Sequence, residues 1–195
     1  GFKGEREFTG RGVSYCATCD GMFYRNKQVF VCGGGNSAAQ EALHLSRIAS
    51  LVVVLVRKDH MRADQFLVRQ LEQTENIDIR YNASLVEVSG NELLNSLTIR
   101  NNTTGNLTKT AFDEGSVGVF VFVGNIPQTD PLKSIIDLDE SGYINTDQDM
   151  RTTVKGLFAA GDCRAKTLRQ IVTAASDGAI AAHAAVQYLT KINPR

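Results

Sequence analysis

The stretch that most constrains the fold is VFVCGGGNSAAQEALHLSRIAS, from Val29 to Ser50. Four apolar residues run into three glycines, and then Ala38, Ala39, Ala42, Leu43, Leu45 and Ile48 recur at helical spacing. This is a strand, a tight turn and a helix, with Asn36 or Ser37 the expected N-cap. LVVVLV at 51–56 is apolar throughout, as a parallel strand buried on both faces must be. ADQFLVRQLEQTEN then reads as a helix, and IDIRYNASLVEVSG opens a run of β signals. SLTIRNNTTGNLTKTAF has the pattern of a hairpin turning around Asn101–Asn106, and SVGVFVFVGNIPQTD that of a buried closing strand. The fold class expected is α/β: a Rossmann-like NAD(P)-binding domain in three ββα layers, its central parallel sheet carrying an inserted β-meander.

The texture changes after Gly124. GYINTD is expected as a short strand, KGLFAAGDC as a strand with a sharp turn, and RQIVTAASDGAIAAHAAVQYL as a long Ala-rich helix. A segment of about 70 residues with so few strands makes a poor core of its own, so it reads as part of a domain whose remainder lies elsewhere.

Charge removes several classes of function. Lys+Arg and Asp+Glu both number 21 among 195 residues, which gives no electrostatic case for a nucleic acid or an anionic membrane as partner. No apolar run approaches the roughly 20 residues of a spanning helix. The start, GFKGEREFTGRG, has charges and glycines where a signal peptide needs an apolar stretch, so the expected location is the cytoplasm. In that compartment a close cysteine pair is more often catalytic or metal-binding than a staple.

The turn Gly33-x-Gly35-x-x-Ala38 has dinucleotide spacing. Gly33 permits the tight turn, Gly35 lets a pyrophosphate reach the backbone, Ala38 keeps the helix close to the strand, and the N–H groups around Asn36 and Ser37 face the phosphates. An NAD site usually ends its second strand on an acid that binds the ribose hydroxyls. Here Arg57 and Lys58 stand there with Arg62 just beyond, a cation group that suits a 2′-phosphate and favours NADPH. The blander readings are a glycine turn kept for packing and a solvated basic turn.

Cys16 and Cys19 form the chain's one Cys-x-x-Cys pair, followed by Asp20. Zinc needs two further ligands, and Cys32, Cys163, His44, His60 and His183 share no ligand spacing, so no metal site is expected. Cys32 and Cys163 read as buried or semi-buried small apolar side chains. A redox pair has chemical logic: one thiolate attacks a disulfide, the other receives electrons or resolves the mixed disulfide, and Asp20 shuttles protons to leaving thiolates if the site raises its pKa.

Taken together, CATCDG, GGGNSAAQEA, RKDHMRA, VGNIPQT and GLFAAGDC…RQIVTAA resemble the low-molecular-weight bacterial and plant thioredoxin reductases, in that family's order and approximate spacing over essentially the whole chain. The resemblance implies an NADPH-dependent flavoenzyme that passes electrons through FAD to a Cys16–Cys19 disulfide and on to thioredoxin. It implies that Cys16 attacks thioredoxin, Cys19 faces the flavin, and Asp20 is the acid. It assigns Arg57, Lys58 and Arg62 to the NADPH 2′-phosphate. Asp162, after Gly161, would bind the FAD ribityl chain, and Arg169, Gln170 and Ile171 would lie by the flavin's pyrimidine edge. It also implies a homodimer.

Val56 and Lys58 stand where the family commonly has His and Arg, Met61 where it has an aromatic residue, and Ser176 where it often has glycine. No FAD-binding glycine turn precedes Gly1, so the chain is expected to be a fragment: an NADPH/disulfide domain over 4–122 and the C-terminal part of an FAD domain over 123–195. The alternatives are a related flavin disulfide reductase using ferredoxin as donor or peroxiredoxin as target, and a non-catalytic NADP(H)-binding module.

Overall fold

Strands β1 (Val13–Ser14), β2 (Gln28–Cys32), β3 (Leu51–Leu55), β4 (Ile77–Arg80) and β8 (Val117–Val121) form one sheet, ordered β1-β8-β2-β3-β4, with every pairing parallel. The computed structural model describes residues 1–192. Contacts divide the chain into one unit over Gly1–Gly124 and a second from Asn125 onward. In the first, helix α1 (Ala17–Asp20) precedes β2, helix α2 (Asn36–Ser46) crosses from β2 to β3, and helix α3 (Gln65–Glu72) leads from β3 to β4.

Alternation along the strands builds two cores from one sheet. Val29, Val31, Val52, Val54 and Phe120 pack with Ala38, Ala39, Ala42 and Leu45 of α2. Phe30, Val53, Leu55, Val119 and Val121 point to the other face. There they meet Val88, Leu94 and Leu97 of an antiparallel meander made of β5 (Ala83–Gly90), β6 (Leu94–Asn101) and β7 (Leu107–Ala111). The three layers are thus helices, parallel sheet and meander. Each large side chain buried this way contributes about 1.5–3 kcal/mol of transfer free energy, which is why the strands read as unbroken apolar runs.

Several local details differ from the sequence expectations. Helix α2 begins at Asn36 with Gly35 as its N-cap and so has no side-chain cap, and the Asn36 side chain bonds Asp64 instead. The β run after Ile77 is two strands in different sheets, parted where Asn82 adopts φ 50°. Asn tolerates that left-handed conformation better than most residues. β1 was not legible at all, being two residues long. The hairpin turn lies where expected: Asn101 Oδ1 accepts from the N–H groups of Thr103 and Thr104, and Gly105 N–H donates to Asn101 O.

In the second unit GYINTD and KGLFAAGDC do not form strands. Among its described residues only isolated bridges occur, Ile144 with Leu138 and Arg164, and Arg151 with Phe158, over a small core of Ile136, Ile144 and Ala159. Helix α4 (Ile171–Ile192) is present, yet Asp177 and Ala184 are its only buried described residues. No helix among the described residues is long and apolar enough to cross a membrane.

Candidate functional site

Cys16 and Cys19 are joined in a disulfide. Cys16 is the N-cap of α1, and its Sγ accepts a hydrogen bond from Cys19 N–H at 3.1 Å. Cys19 is the more exposed of the two sulfurs' residues, Cys16 being half-buried. Asp20 closes the one-turn helix, and its Oδ2 accepts the Ser14 hydroxyl at 2.7 Å. Around the pair, Tyr15, Met22 and Phe23 are exposed, Phe23 to 73%. Large apolar side chains standing in water beside a disulfide make a surface fit for a protein substrate.

A separate cleft of about 1150 Å³ in the same unit is lined by the glycine turn with Asn36 and Ser37, and by Arg57, Lys58, His60 and Arg62. Gly33 has φ +151°, and a Cβ there would meet Phe122 O at 2.5 Å and Ala38 Cβ at 2.8 Å, so the turn excludes any side chain. At Gly35 a Cβ would meet nothing within 4 Å, which leaves open space over the start of α2 for a phosphate. Ala38 is fully buried behind the turn. Among the described residues Arg57, Lys58 and Arg62 make no ion pair, whereas the neighbouring Asp59 pairs with His60 at 2.6 Å, an interaction that lowers the Asp59 carboxyl. Open backbone at Gly35 and three unpaired cations fit a phosphorylated dinucleotide.

The cation loop is held on both sides. Arg62 and Ala63 N–H groups donate to Gly34 O at 2.6 and 3.1 Å. Asn36 Nδ2 donates to Asp64 Oδ2 at 3.0 Å, and Asp64 N–H returns a bond to Asn36 Oδ1 at 2.8 Å. From the meander, Asn102 Nδ2 donates to Arg57 O and Asn82 N–H to Lys58 O, both at 2.9 Å. Asn36 therefore serves the cleft through its neighbour as well as through its backbone. Sequence reasoning missed Ser14, Asp64, Asn82 and Asn102, whose partners are distant in sequence.

In the second unit Gly161 starts a three-residue turn, Gly161–Cys163, with φ +81°. Asp162 holds a carboxylate 61% exposed, an acceptor of the kind polyol hydroxyls require. The Arg169 guanidinium lies 3.9 Å from the centre of the Tyr143 ring, and its Nε donates to Asp162 O at 3.4 Å. Gln170 directly precedes α4, and Ile171, its first residue, is 89% exposed. The donor set fits a polyol-bearing flavin: an exposed carboxylate 3.9 Å from Lys166 Nζ, a cation stacked on Tyr143, and an exposed apolar side chain at the start of α4. Cys163 is half-buried and Cys32 buried, and burial pushes the Cys32 thiol up to about 12. Among the described residues no group of three His, Cys, Asp or Glu is placed to hold a metal ion.

The turn is tied to α4 through Asp177, 7% exposed. Its carboxylate accepts from Gly161 N–H at 3.1 Å, Lys166 Nζ at 2.9 Å and Arg164 Nη1 at 3.3 Å. Burial raises this carboxyl, but Lys166, the Gly161 N–H and Arg164 together outweigh it and hold it below the ordinary carboxylate range. With a folded value below the unfolded one of about 3.9, the stabilisation is complete above about pH 5 and is lost as pH falls through the folded value. The urea midpoint of the wild-type chain is therefore expected to fall more steeply between about pH 5 and 2 than that of Asp177→Asn, which is also the less stable protein at neutral pH. Equal slopes in far-UV circular dichroism titrations would remove Asp177 from the acid transition.

A profile for the family described as pyridine nucleotide-disulphide oxidoreductase matches residues 1–178. The thioredoxin reductase of Peptoclostridium acidaminophilum is 44% identical over 191 residues, covering 97% of this chain and 61% of that protein. That of Treponema pallidum (strain Nichols) is 46% identical over 189 residues, covering 97% and 60%. Among solved structures, the thioredoxin reductase of Streptococcus pyogenes MGAS5005 superposes with a TM-score of 0.90 at 42% identity, covering 98% of this chain and 61% of that one. The chain thus spans about three-fifths of the length of these relatives.

Proposed function

From the premise that the chain belongs to the pyridine nucleotide-disulphide oxidoreductase family, as a homologue of the thioredoxin reductases, we propose that it carries the NADPH site and redox disulfide of an NADPH-dependent thioredoxin-disulfide reductase. The observation that carries this reading is the pairing, within residues 1–124, of a Cys16–Cys19 disulfide followed by an acid with a cleft of unpaired cations at a glycine turn.

Each group has a task. The backbone at Gly35 and the start of α2 receive the pyrophosphate. Arg57, Lys58 and Arg62 take the 2′-phosphate; Lys58 acts as a point charge, without the fork an arginine offers. Asp162, Arg169, Gln170 and Ile171 bind and border FAD. Bound FAD supplies the two-electron relay between nicotinamide and disulfide. Two electrons and two protons convert the Cys16–Cys19 disulfide to a dithiol. The N–H of Cys19 favours thiolate charge on Cys16, which attacks a thioredoxin disulfide sulfur; Cys19 then attacks Cys16 and releases reduced thioredoxin. Asp20 donates a proton to each leaving thiolate. The domain division proposed is 4–122 for the NADPH/disulfide domain and 123–195 for the FAD-domain segment, with the assembled enzyme a homodimer.

The test is turnover by the flavin-loaded enzyme with NADPH and oxidised thioredoxin, followed by loss of NADPH absorbance. Sustained consumption that requires thioredoxin is expected. Binding of NADPH without any consumption would favour the non-catalytic nucleotide-binding module instead.

A further inference from the structure

The Asp20 carboxylate has a single hydrogen-bond partner among the described residues. Its Oδ2 accepts the Ser14 hydroxyl at 2.7 Å, while Oδ1 accepts no hydrogen bond. No cation neutralises it: Lys27, which borders the same small cavity, donates to Gly115 O at 2.8 Å and lies 5.8 Å from the Tyr24 ring centre. The Tyr24 phenol is close enough that burial, joined by the Asp20 charge, raises it.

Ser14 itself is fixed more firmly than the acid it touches. It is 4% exposed, and it ends β1, pairing with Phe120 of the central sheet. Its oxygen accepts Cys16 N–H at 3.1 Å. Its one proton has two acceptors within reach, Asp20 Oδ2 at 2.7 Å and Cys16 O at 3.3 Å, and the shorter contact to a carboxylate is the stronger. A single buried hydroxyl therefore ties together the sheet, the backbone of the first cysteine and the acid beside the second.

We propose that Ser14 is a positioning residue for the acid step: it holds Asp20 by Oδ2, so that Oδ1 carries the proton given to the leaving thiolate. This rests on the disulfide-reductase reading above. The step balances as follows. The Cys16 thiolate forms a bond to one sulfur of the substrate disulfide as that S–S bond breaks. The departing sulfur takes the electron pair and the Oδ1 proton, leaving as a thiol, and Asp20 becomes a carboxylate. Ser14 donates to Oδ2 before and after, with no net change of its own. Water in the cavity of about 350 Å³ bordered by Ser14 and Asp20 returns the proton to Oδ1. The role parallels that of any group that orients a catalytic acid or base without touching the substrate.

Leaving groups provide the test. The 195-residue chain is reduced, freed of reductant, and reacted in single turnovers with two disulfides: 2-hydroxyethyl disulfide, whose alkyl thiolate needs a proton to leave, and the Ellman disulfide, whose aromatic thiolate does not. Ser14→Ala is expected to slow the alkyl disulfide about 10-fold, a fraction of what general acids contribute. It is expected to leave the Ellman rate within about 2-fold, and Ser14→Thr, which keeps the hydroxyl, should restore the alkyl rate. An equal loss with both disulfides, including one caused by misfolding, would overturn the proposal in favour of a purely structural serine. So would no loss with either. Asp20→Asn separates the two levels: if it too shows no leaving-group dependence, the acid reading fails, whereas dependence in Asp20→Asn alone defeats the role of Ser14. Wild-type exchange with the alkyl disulfide but none with oxidised thioredoxin would count against the thioredoxin reading and leave the role of Ser14 standing.

Discussion

Cys16→Ser is expected to lower thioredoxin reduction by the flavin-loaded enzyme by a factor on the order of 10³ or more, while NADPH still bleaches the flavin. The two outcomes separate because the variant keeps the whole nucleotide cleft, which shares no lining residue with the disulfide. What it loses is the sulfur that the Cys19 N–H supports and that must form the mixed disulfide. Stopped-flow absorbance reads flavin bleaching, and a coupled thioredoxin assay reads turnover. A variant whose flavin no longer bleaches would place Cys16 in the hydride step and overturn its assignment. Retained thioredoxin reduction would make Cys19 the attacking sulfur, a role its greater exposure also permits.

The second large effect concerns the nucleotide. Replacing Arg57 and Arg62 together with alanine should raise the Michaelis constant for NADPH about 100-fold or more, since each charge-assisted bond to a phosphate is worth about 1.5–3 kcal/mol. The constant for NADH should change by no more than about 3-fold, because it lacks the group those cations meet. Calorimetry with 2′,5′-ADP against 5′-AMP gives the same comparison without turnover. Equal losses with both nucleotides would reduce the cluster to a solvated basic turn. That these cations have no carboxylate partner among the described residues is what makes the expectation large: no ion pair there has to break when phosphate binds.

Sequence patterning carried the first unit well for a plain reason. Its strands are buried on both faces, so Val29–Cys32 and Leu51–Leu55 are apolar without interruption, and a glycine turn with φ +151° at Gly33 admits nothing else. The second unit was harder to read. Its expected strands at GYINTD and KGLFAAGDC are single bridges, since a three-residue core gives β-like residues no sheet to join. Around the cleft and the disulfide, the residues that bear charge or thiols were visible as motifs, but the residues that hold them were not. Ser14 and Asn102 are ordinary polar residues in sequence, and only the parallel pairing of β1 with β8 and the folding back of the meander bring them to Asp20 and Arg57.

The reciprocal bonds between Asn36 and Asp64 join two stretches 28 residues apart into one piece. Anyone wishing to transplant this coenzyme preference into another scaffold would therefore have to graft both stretches at once. Moving the arginine loop alone would carry Asp64 away from the amide that answers it, and would leave a free carboxylate two residues from Arg62 with nothing to hold the loop against the glycine turn. The inheritable unit of cofactor choice is the clasped pair of loops, and libraries that vary the two jointly should recover working specificity switches that single-loop libraries miss.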